Sequence, residues 1–484
     1  MTEHQLFING EYRPAISGKM ADDENPASGE TYARVHQAGT EDVAVALDAA
    51  ADAFKSWSKE RPSVREAVFL KAARVLEARK AEIMDVLIDE AGSTLMKAGY
   101  EVTHTPLHMI SIAGECRRVH GSTYWSDYPG VESYCVRRPL GVCVSISPFN
   151  FPLLLANRKI GWAMAAGNTV ILKPSEVTPV IALKLAEIYT EAGLPAGVLN
   201  VLPAEAADLG DSLIADPRVK KVNFTGSSRV GHVIGQQCGK YRKKVTLEMG
   251  GKNPLVILQD ADVDYAVEVA TFSNFMHQGQ VCMTGSRVIV EAPIYEEFVD
   301  RFAERVAGLP WGDPRTPGVM VGPLIRKGQV SFIHEQVQAA INDGARVVAG
   351  GEPQDRHYLP TVVADVTSDM SIFHTECFGP VASVIRADDH EHALALANDS
   401  EYGLTSAVLT NDLEKSTYFV DNFEAGMVHV NGPTIRDEPV APFGGVKNSG
   451  TGREGGEFSM EAFTELKWVT IQRGQQQFPL PKKA

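Results

Sequence analysis

The sequence predicts an α/β protein with two open parallel sheets and two further strand-like stretches, which fit either surface edge structure or pairing across a subunit boundary. Three observations carry this reading. From Gly141 to Met249, short apolar runs alternate with helical patterns at the spacing of crossover units. A second series of the same kind begins near Pro254. Two stretches, 117–138 and Thr464–Arg473, are strand-like but belong to neither series.

Each element has a local reason. FINGEY (7–12) carries an Asn-Gly pair between alternating residues and predicts a hairpin, followed by extended chain through NPASGETYARV. Helical patterns run from Asp42 to Ser56 and from Ser63 to Ala91, the latter opened by Pro62-Ser63 and closed by Gly92. In the first series the strands are GVCVSISP (141–148), NTVILKPS (168–175), GVLNVLP (197–203), Val219–Phe224 and Lys244–Met249. Helices fall around Ala163–Ala166 and over 178–193, with another before Val219. The second series reads LVILQ, a helix Val263–Phe275, RVIVE (287–291) and a helix Tyr295–Gly308. It continues through GARVVAGG, PVASVIRA, a helix His390–Asn398, TSAVLT and GMVHVNG.

A chain of 484 residues is too long for one ordinary core. Its net charge of −15 and lack of a lysine-arginine block argue against a nucleic-acid partner. Six isolated cysteines, none in a CxxC pair, suggest a reducing compartment and give no zinc spacing. MTEHQLFING lacks the features of a signal peptide, and the most apolar run, Gly141–Ala156, is interrupted by Pro148, Asn150 and Pro152. A cytoplasmic protein with no membrane partner and no metal is expected.

Phosphate loops need a strand before them and a helix after them. The literal GxGxxG, Gly450–Gly455, has no evident strand in front and reads as a structural loop. FTGSSRVG (224–231) follows a strand and opens a helix, so Gly226 and Ser227 fit either a phosphate site or a serine-capped turn. Lys173 and Glu176 lie at a strand's carboxyl end, where open α/β sheets bind ligands. They fit a solvated helix start equally well.

Three fragments gain weight together: SPFNFP (147–152), LEMGGKNP (247–254) and GQVCM (279–283). With FTGSSRVG, Glu376-Cys377-Phe378-Gly379-Pro380 and Pro442–Gly445, they resemble the aldehyde dehydrogenase superfamily from about residue 7 to about 473, in order and spacing. The resemblance implies Cys282 as nucleophile, Asn150 as oxyanion donor and Glu248 as the base that activates a hydrolytic water. It also implies NAD as cofactor, with NADP possible. Lys173 and Glu176 would bind the adenosine ribose, and Ser227 the pyrophosphate. Glu376 would bind the nicotinamide ribose, with Phe378 packed against it. Ser147, Pro148, Phe149, Gly226, Gly231 and Gly250 complete the expected cofactor set. Cys377 is read as structural.

The wording HQGQVCM and the stretch 426–450 are similar to bacterial aromatic aldehyde dehydrogenases of the vanillin and benzaldehyde type. Phe151, Val281, Met283 and Phe443 would form an apolar slot for a flat ring, although core packing explains Val281 and Met283 as well. Arg158 opens an alternative, a succinate-semialdehyde or other ω-semialdehyde dehydrogenase with a carboxylate clamp. Asp437-Glu438, expected at the entrance, would repel such a carboxylate. A coenzyme-A-acylating enzyme, a non-redox thioesterase or esterase, and a crystallin-like protein are further readings. Glu248, the cofactor residues and the intact Cys282–Asn150 pair count against them respectively. The resemblance implies an NAD-binding domain (1–116 and 139–250), a catalytic domain (251–462) and an oligomerisation arm (117–138 and 463–484). A homodimer or tetramer is expected.

Overall fold

The computed structural model describes residues 2–481, so Met1 and 482–484, the very ends of the segments 1–116 and 463–484, lie outside the described residues. Eight strands form the first sheet. Its centre is parallel: Lys244–Glu248, Val219–Thr225, Val142–Ile146, Thr169–Lys173 and Leu199–Val201 lie side by side in that order. The chain moves outward from Val142–Ile146 in one direction, then returns to place Val219–Thr225 on its other side. That reversal is a switch point, and the carboxyl ends of the two strands there leave a crevice. One edge is closed by the hairpin Leu6–Ile8 and Glu11–Arg13, whose turn residues Asn9 and Gly10 have φ of 56° and 81° as the Asn-Gly pair predicts. Gly450–Thr451 pairs antiparallel at the other edge, beside Leu247 and Glu248.

The second sheet has seven strands, parallel except at the edge strand Arg346–Ala349. Pro254–Ile257 sits between Arg287–Glu291 and Thr405–Leu409. In a separate three-stranded sheet, Thr464–Gln472 pairs antiparallel with Val131–Pro139 along its whole length, and Thr123–Tyr124 extends it. The two stretches that fit neither series thus find each other.

Asn168 shows how tightly these parts are joined. Its carboxamide oxygen accepts from Leu140 N (2.7 Å) and Gly141 N (3.0 Å). Its Nδ2 donates to Ala163 O (3.0 Å) and Phe463 O (2.9 Å). A fully buried asparagine with all its partners thereby ties the start of a central strand to the root of the arm.

One helical expectation needs correction, and one helix goes unforeseen. The pattern from Ser63 to Ala91 is two helices, Pro62–Ala78 and Lys80–Ala91, broken at Arg79 (φ −98°, ψ 13°). Arg79 donates to Glu82 of the second helix and to Glu187 of the helix Pro179–Glu191, so a contact across the fold accompanies the break. A long helix, Leu95–Glu115, follows unannounced. Gly99 and Pro106 inside it weaken the local signal, but its buried face packs into the core beside the first sheet. No helix among the described residues is long and apolar enough to cross a membrane.

Candidate active site

Cys282 follows a strained turn. After the helix Val263–Phe275, His277 (φ 48°), Gln278 (φ 46°) and Gly279 (φ 70°) are all left-handed. Two of these are not glycine, a conformation that persists only when the surroundings enforce it. The Gln278 amide donates to Pro323 O (2.7 Å) and its oxygen accepts from Gly322 N (3.3 Å). Gln280 Oε1 accepts from Ile325 N (3.1 Å). A Cβ on Gly279 would lie 2.1 Å from Gly379 O, so only glycine lets the turn lie flush on the neighbouring segment. The cysteine beyond it is partly exposed, whereas the other five are buried.

Asn253, absent from the sequence-based set, holds this loop. Its Nδ2 donates to Cys282 O (2.8 Å) and Thr284 O (2.9 Å), and its oxygen accepts from Thr405 N (3.2 Å). The residue stands inside the LEMGGKNP fragment, but nothing local marks its partner 29 residues away. Asn150, buried just after the strand Val142–Ile146, donates one N–H to Gln280 O (2.9 Å). A carboxamide has two such donors, and Asn150 lines the same cleft as Cys282.

That cleft has a volume of about 680 Å³ and opens from the switch point of the first sheet. Ser147, Pro148, Phe149, Lys173, Glu176, Gly226, Ser227, Gly250, Glu376 and Phe378 all line it. Lys173 and Glu176 pair with each other. The Ser227 hydroxyl caps the helix Ser228–Lys240 by accepting from Val230 N (3.4 Å). Gly231 does not line the cleft. A Cβ there would meet Met249 Sδ at 2.2 Å, so its absence lets the helix pack closely on the sheet. A Cβ on Gly250 would lie 2.2 Å from the Glu376 carboxylate. Glu376 accepts from Gly251 N (3.0 Å), and burial pushes its carboxyl up to about 7. Phe378, itself left-handed, packs edge-on against Phe149 at 5.8 Å.

On another side of Cys282, Phe151, Val281, Met283 and Phe443 join Leu154, Leu155, Met276 and Leu404 in one apolar cluster. Tyr100 packs against it, 6.2 Å from Phe151. The two readings of Val281 and Met283 merge here, since the cluster is both core and neighbour of the thiol. Arg158 lies over the Phe443 ring, 4.8 Å from its centroid.

Glu248 ends the strand Lys244–Glu248 and is buried, with no hydrogen bond to either carboxylate oxygen. Burial and the nearby Glu454 carboxylate raise its pKa well above the ordinary value, against Lys159, Arg158 and Arg453. Glu454 itself pairs with Lys159. The literal GxGxxG is a structural loop: a Cβ on Gly450 would strike Leu247 O at 2.1 Å. Burial also pushes the Cys282 thiol up to about 12, helped by Glu376, Glu248 and Asp437.

The expectation for Asp437-Glu438 fails in part. Glu438 is exposed beside Arg436, but the Asp437 side chain, only 8% exposed, pairs with Arg158. Burial pushes the Asp437 carboxyl up, yet Arg158 and His108 hold it below the usual range. The acid is matched to the arginine and is not free to repel a substrate carboxylate. Among the described residues no cluster of three or more His, Cys, Asp or Glu could hold a metal.

Comparison with known proteins agrees with this geometry. A model of the aldehyde dehydrogenase family matches residues 12–469. The chain is 39% identical over 483 residues to the vanillin dehydrogenase of Pseudomonas fluorescens, covering 99% of this chain and 100% of the relative. Its fold is similar to that of a salicylaldehyde dehydrogenase from Pseudomonas putida G7 solved with salicylaldehyde, with TM-score 0.97, 37% identity and coverage of 99% and 100%. An NAD-dependent aldehyde dehydrogenase from Sinorhizobium meliloti matches with TM-score 0.96 and 33% identity, over 99% and 97% of the two chains.

The raised thiol makes a prediction for the cofactor-free enzyme. Alkylation of Cys282 by iodoacetamide, corrected with Cys282→Ala, should accelerate about tenfold per pH unit from pH 7 to 10 without levelling. A plateau near pH 8 to 9, as for a free cysteine, would show that burial does not control the thiol.

Proposed function

The chain belongs to the aldehyde dehydrogenase family, and we propose that it oxidises aromatic aldehydes to carboxylic acids with NAD, through a thioester on Cys282. The observation that carries the chemistry is a partly exposed cysteine sharing one cleft with a carboxamide donor, close to a buried carboxylate of raised pKa.

The cleft residues fit the cofactor. Lys173 and Glu176 would bind the adenosine ribose at the sheet's carboxyl edge, and the first turn behind Ser227 would meet the pyrophosphate. The Glu376 carboxylate, standing where a side chain on Gly250 would be, would hold the nicotinamide ribose. Glu176 disfavours a 2′-phosphate by like-charge repulsion, and its pairing with Lys173 softens that repulsion, so NADP remains usable. NAD supplies a hydride acceptor when bound.

The protein's own groups do the rest. The Cys282 thiol gives up its proton to solvent in the open cleft, and the thiolate adds to the carbonyl carbon, forming the C–S bond and moving the π electrons onto oxygen. The free N–H of Asn150, together with the Cys282 backbone N–H, takes the oxyanion, and one such donor is worth about 3–4 kcal/mol. Loss of hydride restores C=O and leaves the thioester. Glu248 then takes a proton from water as its oxygen attacks, and the C–S bond breaks to return the thiolate and the acid. A raised pKa suits Glu248 to this work, since it lets the carboxylate accept a proton near neutrality.

The apolar cluster around Cys282 and the named activities of the relatives both support a flat aromatic substrate. Arg158 does not serve as a free carboxylate clamp, because Asp437 already balances its charge. Six unpaired cysteines support a cytoplasmic setting. The arm supports a homo-oligomer: Tyr124, Leu466, Trp468 and Ile471 on its small sheet, with Trp125 just past the edge strand, expose large apolar surface that a second copy would cover.

NADH formation compares the substrates directly. Benzaldehyde or vanillin should exceed succinate semialdehyde in kcat/KM on the order of 100-fold; the reverse order would make Arg158 the clamp after all. Light scattering after size exclusion should find a dimer or tetramer, and Trp468→Lys should lower the assembly state. A monomeric wild type would remove the arm's proposed role.

A further inference from the structure

The helix Pro152–Ala165 begins two residues after Asn150 and has no cap of its own. Phe151 at its boundary offers no acceptor, and Pro152 has no N–H. Its first free donors, Leu153 N and Leu154 N, instead reach a carboxylate from another helix. Both donate to Glu101 Oε1, at 3.1 and 3.0 Å. Glu101 Oε2 accepts from Lys97 Nζ, which also donates to Ser93 Oγ at 3.1 Å. Ser93, Lys97 and Glu101 are completely buried, so water cannot replace any of these contacts. Lys97 Nζ further lies 4.8 Å from the Phe151 ring centroid.

A buried ion pair stabilises a fold poorly compared with apolar packing of the same volume. Its distinguishing contribution here is directional. The pair gives the two N–H groups one fixed acceptor, and that acceptor sits on a 21-residue helix, a rigid frame independent of the active-site loops. Asn150 lies between this anchor and its own bond to Gln280 O.

We propose that Glu101, held by Lys97, is a positioning residue for Asn150: it pins the first turn after the asparagine and so sets where the oxyanion donor sits. The proposal rests on the reading of Asn150 given above. Misplacing a catalytic group by about 1 Å can cost 100-fold in rate, so the first hydride transfer should respond even where the fold does not.

The test is a double-mutant cycle on the single-turnover rate of NADH formation from benzaldehyde, with KM for NAD measured alongside. Asn150→Ala alone should slow the step about 100-fold. Glu101→Gln alone should slow it about 10-fold or more, leaving KM for NAD unchanged. Added to Asn150→Ala, Glu101→Gln should change the rate by less than about 2-fold, because residues acting through one another are not additive. Should Glu101→Gln fail to fold with Lys97 left unpaired, Lys97→Met/Glu101→Gln takes its place in the cycle. Equal slowing by Glu101→Gln in both backgrounds, or none in a folded variant, would overturn the proposal. An Asn150→Ala enzyme with an unchanged rate would instead remove the oxyanion reading on which it stands.

Discussion

A thiolate at Cys282 or a carboxylate at Glu248 loses most of its hydration, and the surrounding side chains are arranged around that penalty. Where a charge must persist it is matched: Arg158 by Asp437, Lys159 by Glu454, Lys97 by Glu101. Where chemistry needs a group to change its charge, no such match is made. Glu248 has no hydrogen-bond partner and a raised pKa, and Cys282 has a thiol raised by burial and by neighbouring acids. The contrast separates the paired charges from the proposed reacting groups more clearly than burial alone, since burial acts on both kinds.

The scaffold serves the same arrangement. The reversal of strand order in the first sheet opens the crevice, and the loops leaving its two central strands bring Ser147–Asn150 and Gly226–Ser227 to it. The second sheet delivers Cys282 through a turn in which three consecutive residues are left-handed. Gln278 and Gln280 bind that turn to the segment 322–325, and Asn253 binds the cysteine's own carbonyl. The proposed nucleophile is therefore located by backbone held from several sides.

Much of this was legible in the sequence, for reasons that differ by element. Val263–Phe275 and His390–Asn398 were placed to the residue, since each has an aspartate cap, Asp262 or Asp389, ahead of a regular pattern. The parallel strands declared themselves by short apolar runs. The helix Leu95–Glu115 did not, because Gly99 and Pro106 interrupt a pattern that tertiary packing completes. The break at Arg79 involves Glu187, far along the chain. The same limit applies at the site. Cys282, Glu248 and Asn150 stand in recognisable fragments, but Asp437 meets Arg158 across 279 positions and Leu153 meets Glu101 across 52. Those partners match the Arg158 charge and anchor the helix turn that follows Asn150, and no local pattern carries them.

The central claim is that Cys282 carries the acyl group and that Glu248 is needed only to release it. Glu248→Gln, mixed with benzaldehyde and NAD, quenched in acid and digested for mass spectrometry, tests both parts at once. The account predicts one equivalent of NADH and a benzoyl group on the peptide containing Cys282. Continued turnover with no adduct on that peptide would contradict it.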